Sequence, residues 1–571
     1  MSRLYRLLAL RPLTLALLLL PIGAFFVYFF ALRYNIPWFD EYENIPYFLD
    51  RFLNANSFTE RMAALLRPNN EHRVLYARLV VLAQYVLTGG LNFGGLMLWG
   101  NLGLVLIFWL LYNALRRAND PSADALTPRP LGNKALIGML PVPLLLFTAQ
   151  NYLLTFTAIY TLQYLAIIVL VVLTFFVLAT DRPLNFGLAL ALGLLSTFSM
   201  GNGLLLWPAG AVMLLVQRRW VPLAVWVVVG GVGGYLYFLG YPVQQGNANG
   251  FAYVLEHPGQ TLAGFLIFAG SVFDLFPILT IEPRSYLPFV MGLVLIAGLG
   301  YWLLKTVFRL SKNTSYFDVF VLGCALFVLA NIGLIAVFRI RFYFGMVLHS
   351  SYRTYSLVLW SLAVVLLFSQ LHESLRVRFW PGIWMLFLGV SILTYGTYVP
   401  EAIERRKHMQ AMTFNQRYDD IGLGGTRNTY LARYISKLTK LMHDRRWYDL
   451  PDPTITPDEK RLLGPADRPV PTEPLQVIQR PDYIVVNNYD ANYEIGINMA
   501  TYLVLKSDKH TYLVLAARIR PQEYRFWRVL PGFTAAMPRD IMQPGRYRIG
   551  LFRTYLDHTQ TQFTDRFVDV S

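Results

Sequence analysis

Long apolar stretches with almost no charged residues dominate the chain between residues 13 and 399. About 20 apolar residues cross the hydrocarbon core of a bilayer as a helix, where no water is present to satisfy backbone polar groups. The stretches are too numerous for one buried core, so the sequence predicts a mainly helical protein that crosses a membrane many times. The chain is 55% hydrophobic and only 15% charged, and the region after Glu401 has the composition of a soluble domain.

Eleven apolar runs are predicted as membrane spans. They are 13–33, 91–115, 135–147, 158–178, 184–198, 204–216, 221–240, 287–308, 317–338, 355–369 and 380–399. A twelfth run, 261–276, is short and contains Asp274, which indicates a re-entrant or interfacial segment. The first run is too long for the apolar core of a signal peptide, so it is predicted as a retained span.

Lys and Arg residues beside the spans predict the orientation, because cytoplasmic loops carry an excess of positive residues. A cytoplasmic N-terminus places these residues inside: Arg3, Arg6, Arg11, Arg116, Arg117, Arg129, Lys134, Arg182, Arg218, Arg219, Lys305, Arg309, Lys312, Arg376 and Arg378. An odd number of spans then places the C-terminal region outside, as expected for a bacterial inner-membrane protein with a periplasmic tail. If 261–276 crosses the membrane, the later spans invert and Arg339, Arg341 and Arg353 become cytoplasmic.

The sequence divides into a membrane domain at 1–399 and a polar C-terminal region. The membrane domain includes a long first outer loop at 34–90, in which 74–86 has the spacing of a helix on the membrane surface. A helical stretch and a Pro-rich linker follow at 400–481, with a break near 422–425. Alternating apolar and polar residues then predict a β-sandwich-like extracytoplasmic domain at 482–571, with strands at 483–487, 501–505, 511–517, 546–554 and 562–570.

Several function classes are excluded by composition and motif. The net charge of +16 does not indicate nucleic-acid binding, because the Lys and Arg residues are not gathered into a basic face. The single cysteine, Cys324, excludes a disulfide within the chain and a cysteine-based metal site. The chain also lacks a P-loop, a dinucleotide glycine fingerprint, a nucleophile elbow with an oxyanion hole and an HExxH motif.

The first outer loop contains two clusters of chemically active residues. Trp38, Asp40, Glu41 and Tyr42 place two adjacent carboxylates beside two aromatic rings directly after the first span. The second cluster, at 67–73, ends in Asn70, Glu71, His72 and Arg73. Aromatic and charged residues are also common in solvated interfacial loops. Two such clusters in one loop, above several short spans, favour a functional site.

A third cluster follows the run at 317–338 and contains Arg339, Arg341, Tyr352 and Arg353. Three arginines on the outer side oppose the positive-inside trend, so they need an anionic partner, either lipid head groups or a bound phosphate. The planar guanidinium group suits phosphate oxygens. Weaker candidates are polar residues at membrane depth, which usually face the protein interior: Gln150, Asn151, Gln163, Asn202, Asp274, Glu282 and Arg284.

This pattern resembles the GT-C superfamily of polytopic membrane glycosyltransferases, which take sugars from polyprenyl-phosphate carriers. The shared features are a basic cytoplasmic N-terminus, one span followed by a long outer loop with early acidic residues, about eleven spans and a soluble outer C-terminal domain. The Trp-Phe-Asp-Glu segment at 38–41 and the Asn-Glu-His-Arg segment at 70–73 resemble motifs of bacterial members. Some members open a late span with an Arg-Tyr motif, whereas this chain has Tyr352 before Arg353.

The resemblance implies an inverting glycosyl transfer at the outer face of the cytoplasmic membrane, as in the synthesis of cell-envelope polysaccharides. Asp40 or Glu41 would be the catalytic base, with Asp40 slightly favoured. The leaving phosphate would be bound by His72, Arg73, Arg339, Arg341 and Arg353, and the substrate would contact Trp38, Tyr42, Asn70, Glu71 and Tyr352. The donor would be a polyprenyl-phosphate sugar and the acceptor a glycan or a lipid-linked glycan.

Several alternatives remain open at this point. A lipid or sugar carrier (flippase) and a non-enzymatic membrane scaffold both agree with a polytopic sequence. A carrier would show repeated halves and charges at the membrane midplane, and the sequence shows no repeat. Paired carboxylates at Asp40 and Glu41 suit a divalent cation such as Mg²⁺ or Mn²⁺, although nothing in the sequence requires one.

Overall fold

The computed structural model describes residues 2–69, 72–119, 133–241, 249–309, 315–451, 462–464, 474–490, 496–525 and 527–570. Within these residues, eight helices are long and apolar enough to cross a membrane, which indicates a membrane protein. They are Arg11–Leu32, Phe93–Ala118, Asn133–Thr155, Ala158–Leu178, Trp220–Phe238, Ile281–Val307, Tyr316–Arg339 and Glu373–Asp419. Each of the eight overlaps a span predicted from the sequence.

The other three predicted spans form shorter apolar helices, at Pro183–Ser199, Gly201–Val216 and Thr354–Gln370. A helix of 17 residues covers about 25 Å, which is less than the hydrocarbon thickness of about 30 Å. The sequence predicts short helices for the first two of these. The run at 135–147, also predicted to be short, instead continues to Thr155 through a series of short helical turns.

The twelfth apolar run forms a helix at Pro258–Ala269 and a 3-10 turn at Ser271–Phe273. Its 12 helical residues cover about 18 Å, so this helix alone is too short to cross a bilayer. It packs closely against the helix Ile281–Arg309. A Cβ atom at Gly292 would lie 1.8 Å from the carbonyl oxygen of Leu266, so only glycine permits this approach.

The first loop is mainly helical. Its helices are Asp40–Tyr42, Glu43–Tyr47, Phe48–Leu53, Phe58–Leu66 and Leu75–Thr88. The segment Glu43–Tyr47 is a π-helical turn that contains Pro46, which has no N–H to donate to the preceding turn. The last helix confirms the predicted helix at 74–86, whereas its location on a membrane surface stays a prediction.

The predicted span at 380–399 and the first part of the helical stretch after it form one helix of 47 residues, Glu373–Asp419. This helix ends where Asp420, Gly422 and Gly425 adopt positive φ angles, which confirms the predicted break. The helix Tyr430–Asp444 follows, and the Thr429 hydroxyl caps it by accepting the N–H of Ala432. Most of the predicted Pro-rich linker, at 452–461 and 465–473, lies outside the described residues.

In the described part of the C-terminal region, eight strands form two antiparallel sheets. The strands are β1 Gln476–Gln479, β2 Tyr483–Asn488, β3 Ala500–Lys506, β4 Thr511–Leu515, β5 Ala517–Arg518, β6 Phe533–Pro538, β7 Gly545–Thr554 and β8 Thr559–Val570. Their orders are β1-β2-β6-β5 and β4-β3-β7-β8. Val486 of one sheet and Leu505 and Ile549 of the other belong to one hydrophobic cluster, which agrees with the predicted β-rich region.

The chain divides into two compact units. Unit 1 contains Met1–Phe29, Arg51–Val80 and Leu96–Tyr398. Unit 2 contains Phe30–Asp50, Val81–Gly95 and Val399–Ser571. The predicted site residues fall into both units.

Candidate functional site

In unit 2, the predicted carboxylates lie in a tight turn. The Glu41 N–H donates to the Trp38 carbonyl at 3.0 Å and closes the turn. Phe39, the second residue of the turn, has φ 42° and ψ −108°. These torsions are close to those of the first central residue of a type II′ turn, which is normally glycine. A phenylalanine at this position is strained, and such strain is common at functional sites.

The turn gives the two adjacent carboxylates different surroundings. Glu41 is fully buried, and its Oε2 accepts the backbone N–H of Trp38 at 2.6 Å. Asp40 reaches the surface, and desolvation by the surrounding protein raises the pKa of its carboxyl group. Asp40 therefore suits a base that meets an external ligand, whereas Glu41 holds the turn together.

The two aromatic residues predicted to contact the substrate also differ in exposure. Trp38 is partly exposed, and the Arg405 guanidinium lies 4.5 Å from its ring centroid. Tyr42 is only 1% exposed, and its hydroxyl accepts a hydrogen bond from Thr439 at 3.4 Å. Because its ring is buried, Tyr42 offers no face to a ligand in this structure, and of the two aromatic residues only Trp38 is open to the predicted substrate contact.

In unit 1, a cavity of about 260 Å³ is lined by three of the predicted site residues, His72, Arg339 and Tyr352. His72 comes from the first loop, Arg339 from the last turn of the helix Tyr316–Arg339, and Tyr352 from the segment after that helix. Asn202 and Tyr355 also line the cavity, and the Asn202 amide donates to the Tyr355 hydroxyl at 3.3 Å.

Most of the remaining cavity wall is apolar. It includes Met200, Leu204, Phe238, Leu334, Ile335 and Phe338. Apolar walls with a few convergent polar groups are typical of small-ligand sites. The guanidinium of Arg339 adds a cation with the geometry to bind a phosphate or carboxylate. The cavity therefore suits an amphiphile with a small anionic head.

Arg73 makes structural contacts rather than lining this cavity. Its three guanidinium nitrogens donate to the backbone carbonyls of Leu66, Tyr237 and Leu239, at 2.5, 2.9 and 2.8 Å. The last two carbonyls belong to the C-terminal end of the helix Trp220–Phe238, where carbonyls lack partners within the helix. Arg73 thus caps this helix, and a phosphate-binding role gains no support from its contacts.

Arg353 is 1% exposed and belongs to a buried cluster around Asp274. Its Nη2 donates to Asp274 Oδ2 at 2.5 Å. Arg284 donates to both carboxylate oxygens, at 2.7 and 2.6 Å, and the Tyr398 hydroxyl donates to Oδ2 at 2.8 Å. Arg353 is therefore an internal ion-pair partner in this structure and does not present its guanidinium to lipid head groups at the surface.

The cluster also positions part of the cavity wall. Tyr352 and Tyr355, on either side of Arg353 in the sequence, both line the cavity. Anchoring Arg353 to Asp274 therefore helps to hold the two tyrosine rings in place. Nearby, His349 Nδ1 and the Ser351 hydroxyl share a hydrogen bond of 2.7 Å. Burial lowers the pKa of His349 to about 4, and the positive charges of Arg353 and Arg284 add to this effect.

The remaining sequence candidates lie elsewhere. Arg341 does not line the cavity, and its guanidinium lies 4.6 Å from the ring centroid of the adjacent Phe342. Asn70 and Glu71 lie outside the described residues. Besides Asn202, Asp274 and Arg284, three more of the weaker candidates form hydrogen bonds: Gln150 donates to the Val272 and Asp274 carbonyls, Asn151 donates to Thr354, and Glu282 accepts from Tyr286. Gln163 is largely buried within the π-helical turn Thr161–Leu165.

Among the described residues, no group of three or more His, Cys, Asp or Glu side chains is arranged to hold a metal ion. Asp40 and Glu41 also have different surroundings, since the carboxylate of Glu41 is turned into the protein. The Mg²⁺ or Mn²⁺ ion considered from the sequence therefore gains no ligand set from this structure.

Comparison of the chain with known protein families, curated proteins and solved structures finds no match.

Proposed function

We propose that the protein is a membrane glycosyltransferase that moves a sugar from a polyprenyl-phosphate donor to a glycan or lipid-linked acceptor. The observation that carries this proposal is the cavity of unit 1, where His72, Arg339 and Tyr352 meet apolar walls. A donor of this class joins a sugar to a long apolar chain through one phosphate. The cavity offers a chemical partner for each of these three parts.

Arg339 is the proposed phosphate ligand, because a guanidinium donates two parallel hydrogen bonds to phosphate oxygens. Negative charge builds on the leaving phosphate in the transition state, and a fixed cation in a water-poor site stabilises it. The hydroxyl of Tyr352 and the amide of Asn202 can bond to sugar hydroxyls. The apolar wall, including Leu334 and Phe338, suits the first isoprene units of the lipid.

Asp40 is the proposed general base. In a transfer of this class, a general base takes the proton of an acceptor hydroxyl while that oxygen forms a bond to the anomeric carbon. The bond from the anomeric carbon to the phosphate oxygen breaks, and its electron pair leaves with the lipid phosphate, which inverts the anomeric centre. Such base catalysis is worth roughly 10²–10⁴-fold and improves as the pKa of the base rises toward the working pH. The exposure of Asp40 and the raised pKa of its carboxyl group support this role over one for Glu41.

The proposal extends to the class and the topology. The protein would be a GT-C-type enzyme of the bacterial inner membrane with eleven spans, a cytoplasmic N-terminus and a periplasmic β-rich domain. The support is the combination of eight long apolar helices among the described residues, a largely helical first loop with Asp40 and Glu41 near its start, and two C-terminal sheets.

The test uses the full-length protein in lipid nanodiscs with a panel of polyprenyl-phosphate sugars and acceptor glycans. Released polyprenyl phosphate is measured together with donor affinity. Asp40→Asn should reduce release by roughly 100-fold or more while donor affinity stays unchanged. Arg339→Ala should weaken donor affinity, whereas Arg341→Ala, which removes an arginine that does not line the cavity, should not. Absence of release by the unmodified protein with every donor and acceptor would reject the proposal.

A lipid or sugar carrier is the second candidate, and the buried cluster of Asp274, Arg284 and Arg353 favours it. Ionisable residues inside membrane helices and between them often mark transport pathways. A carrier moves the intact donor without releasing lipid phosphate. In proteoliposomes with a fluorescent donor, flux without phosphate release would support the carrier and reject the transferase. A scaffold would give neither flux nor release.

A further inference from the structure

A second cavity, within unit 2, has a volume of about 780 Å³. Its walls are the C-terminal end of the helix Glu373–Asp419, one end of the four strands β4, β3, β7 and β8, and Leu463 with Gly464. We name it the basic cleft, after the basic residues and the aromatic ring in its lining: Lys506, Lys509, His510, Arg546, Arg548 and Phe567. The lining also holds the carboxylates of Asp419 and Asp508. None of these residues has a part in the proposed transfer reaction.

The strand pairing explains how the basic residues come together. Lys506 on β3 lies directly opposite Arg548 on β7, which in turn lies opposite Phe567 on β8. Residues opposite each other in an antiparallel pair share one face of the sheet, and Arg546 shares it because it lies two residues before Arg548. The opposite face of the sheet packs into the hydrophobic cluster through the alternate residues, which include Leu505, Tyr547, Ile549 and Val568.

Positive charge exceeds negative charge in the cleft, where four Lys and Arg residues meet the carboxylates of Asp419 and Asp508. Like charges directly opposite each other in a sheet repel, and Lys506 is only 8% exposed. Its ammonium group donates to a backbone carbonyl and a hydroxyl, which are both neutral. Asp569 lies directly opposite Arg546 in the pairing of β7 with β8, although neither Arg546 nor Lys506 forms an ion pair among the described residues. Asp419, a carboxylate of the cleft wall, is already bound by His510.

An exposed aromatic ring accompanies the cations. Phe567 is 44% exposed, and the Arg546 guanidinium lies 4.5 Å from its ring centroid. An aromatic face packs against the C–H groups of a sugar ring, while guanidinium and ammonium groups donate to carboxylates and hydroxyls. The volume is within the usual range for ligand sites of roughly 300–1,000 Å³.

We infer that the basic cleft binds an anionic saccharide. The cations would bind its acidic groups, and Phe567 would support one sugar ring. The binding of this saccharide does not depend on the proposed function. Its further role as the acceptor of the transfer reaction rests on the proposed function.

Isothermal titration calorimetry on the full-length protein in nanodiscs of zwitterionic lipid tests the inference. Trigalacturonate is the anionic probe and maltotriose the neutral one. Trigalacturonate should bind with an affinity that falls with added salt, and maltotriose should not bind. Arg546→Ala should weaken trigalacturonate binding at least tenfold. Arg480→Ala, which removes an equal charge at the end of β1 in the other sheet, should leave it unchanged.

Three outcomes would overturn the inference. The first is no binding of trigalacturonate, and the second is equal weakening by Arg546→Ala and Arg480→Ala. The third is displacement of trigalacturonate by an equal concentration of inorganic phosphate, which would leave an anion site without affinity for sugars. Phe567→Ala tests the aromatic contact separately. This variant should bind trigalacturonate more weakly, and its binding should still weaken with added salt. Because the titration needs no donor, its result is independent of any failure of the transferase assay.

Discussion

Replacing Asp274 with asparagine should destabilise unit 1 strongly. The carboxylate accepts from Arg284 at 2.7 and 2.6 Å, from Arg353 at 2.5 Å and from Tyr398 at 2.8 Å. Asparagine keeps the size of the side chain, but it removes the charge and turns an acceptor into an N–H₂ donor that faces other donors. Removal of one partner from a buried ion pair costs about 3–5 kcal/mol. When the relation between unfolding free energy and unfolding temperature is scaled from smaller domains, this loss of stability corresponds to a fall of roughly 3–10 °C in unfolding temperature.

Thermal unfolding of the detergent-solubilised protein measures this effect. Asp181→Asn is the matched control, because that side chain is 87% exposed and its ion pair with Arg219 should contribute at most about 1 kcal/mol. Arg353→Met should lower the free energy of unfolding much less in the Asp274→Asn background than in the unmodified protein. In that background it removes a buried charge that has already lost its partner. An unfolding temperature of Asp274→Asn within about 1 °C of the unmodified protein would refute the reasoning.

Three further predictions concern stability. The pKa of His349 falls from 6.5 to about 4 on folding, so the unfolded chain binds more protons than the folded chain between these pH values. Stability should therefore decrease as the pH falls from 6.5 to 4. His349→Gln should flatten the dependence of the unfolding temperature on pH. Arg73→Lys should lower stability by about 1–3 kcal/mol, because one ammonium group cannot reach three carbonyls that a guanidinium spans, and an equal unfolding temperature would contradict this. Gly292→Ala should lower the unfolding temperature more than Gly298→Ala, since a methyl group meets Leu266 at the first position and open space at the second.

The helices could be predicted well because the apolar runs are long and have sharp ends. The sequence does not predict that one helix extends from Glu373 to Asp419, because Pro381 and Pro400 lie within it and a proline normally indicates the end of a helix. Two strands, β1 and β6, were not predicted, and β5 was merged with β4 in the predicted strand at 511–517. β1 and β5 are only 4 and 2 residues long, and β6 contains two alanines and ends in a proline, which weakens its β pattern.

The candidate site could be predicted only in part. His72, Arg339 and Tyr352 are candidates from the sequence alone, and the structure brings them to one cavity. The sequence favours Asp40 over Glu41 only slightly, because their different exposure follows from a turn conformation that Phe39 gives no reason to expect. The pairing of Asp274 with Arg353 could not be predicted from the sequence either, because no periodicity relates residues that are 79 positions apart.

The helix cap formed by Arg73 has a consequence for the order in which the chain matures. Its carbonyl partners at Tyr237 and Leu239 lie 164 and 166 residues later in the sequence. At a synthesis rate of roughly 5–20 residues per second, about 10–30 s separate the appearance of Arg73 from that of these partners. Until then the guanidinium must remain hydrated, so the segment that carries His72 cannot take its final place early in biosynthesis. The cavity can therefore be completed only after the helix Trp220–Phe238 has been made, although His72, the first of its lining residues in the sequence, leaves the ribosome much earlier.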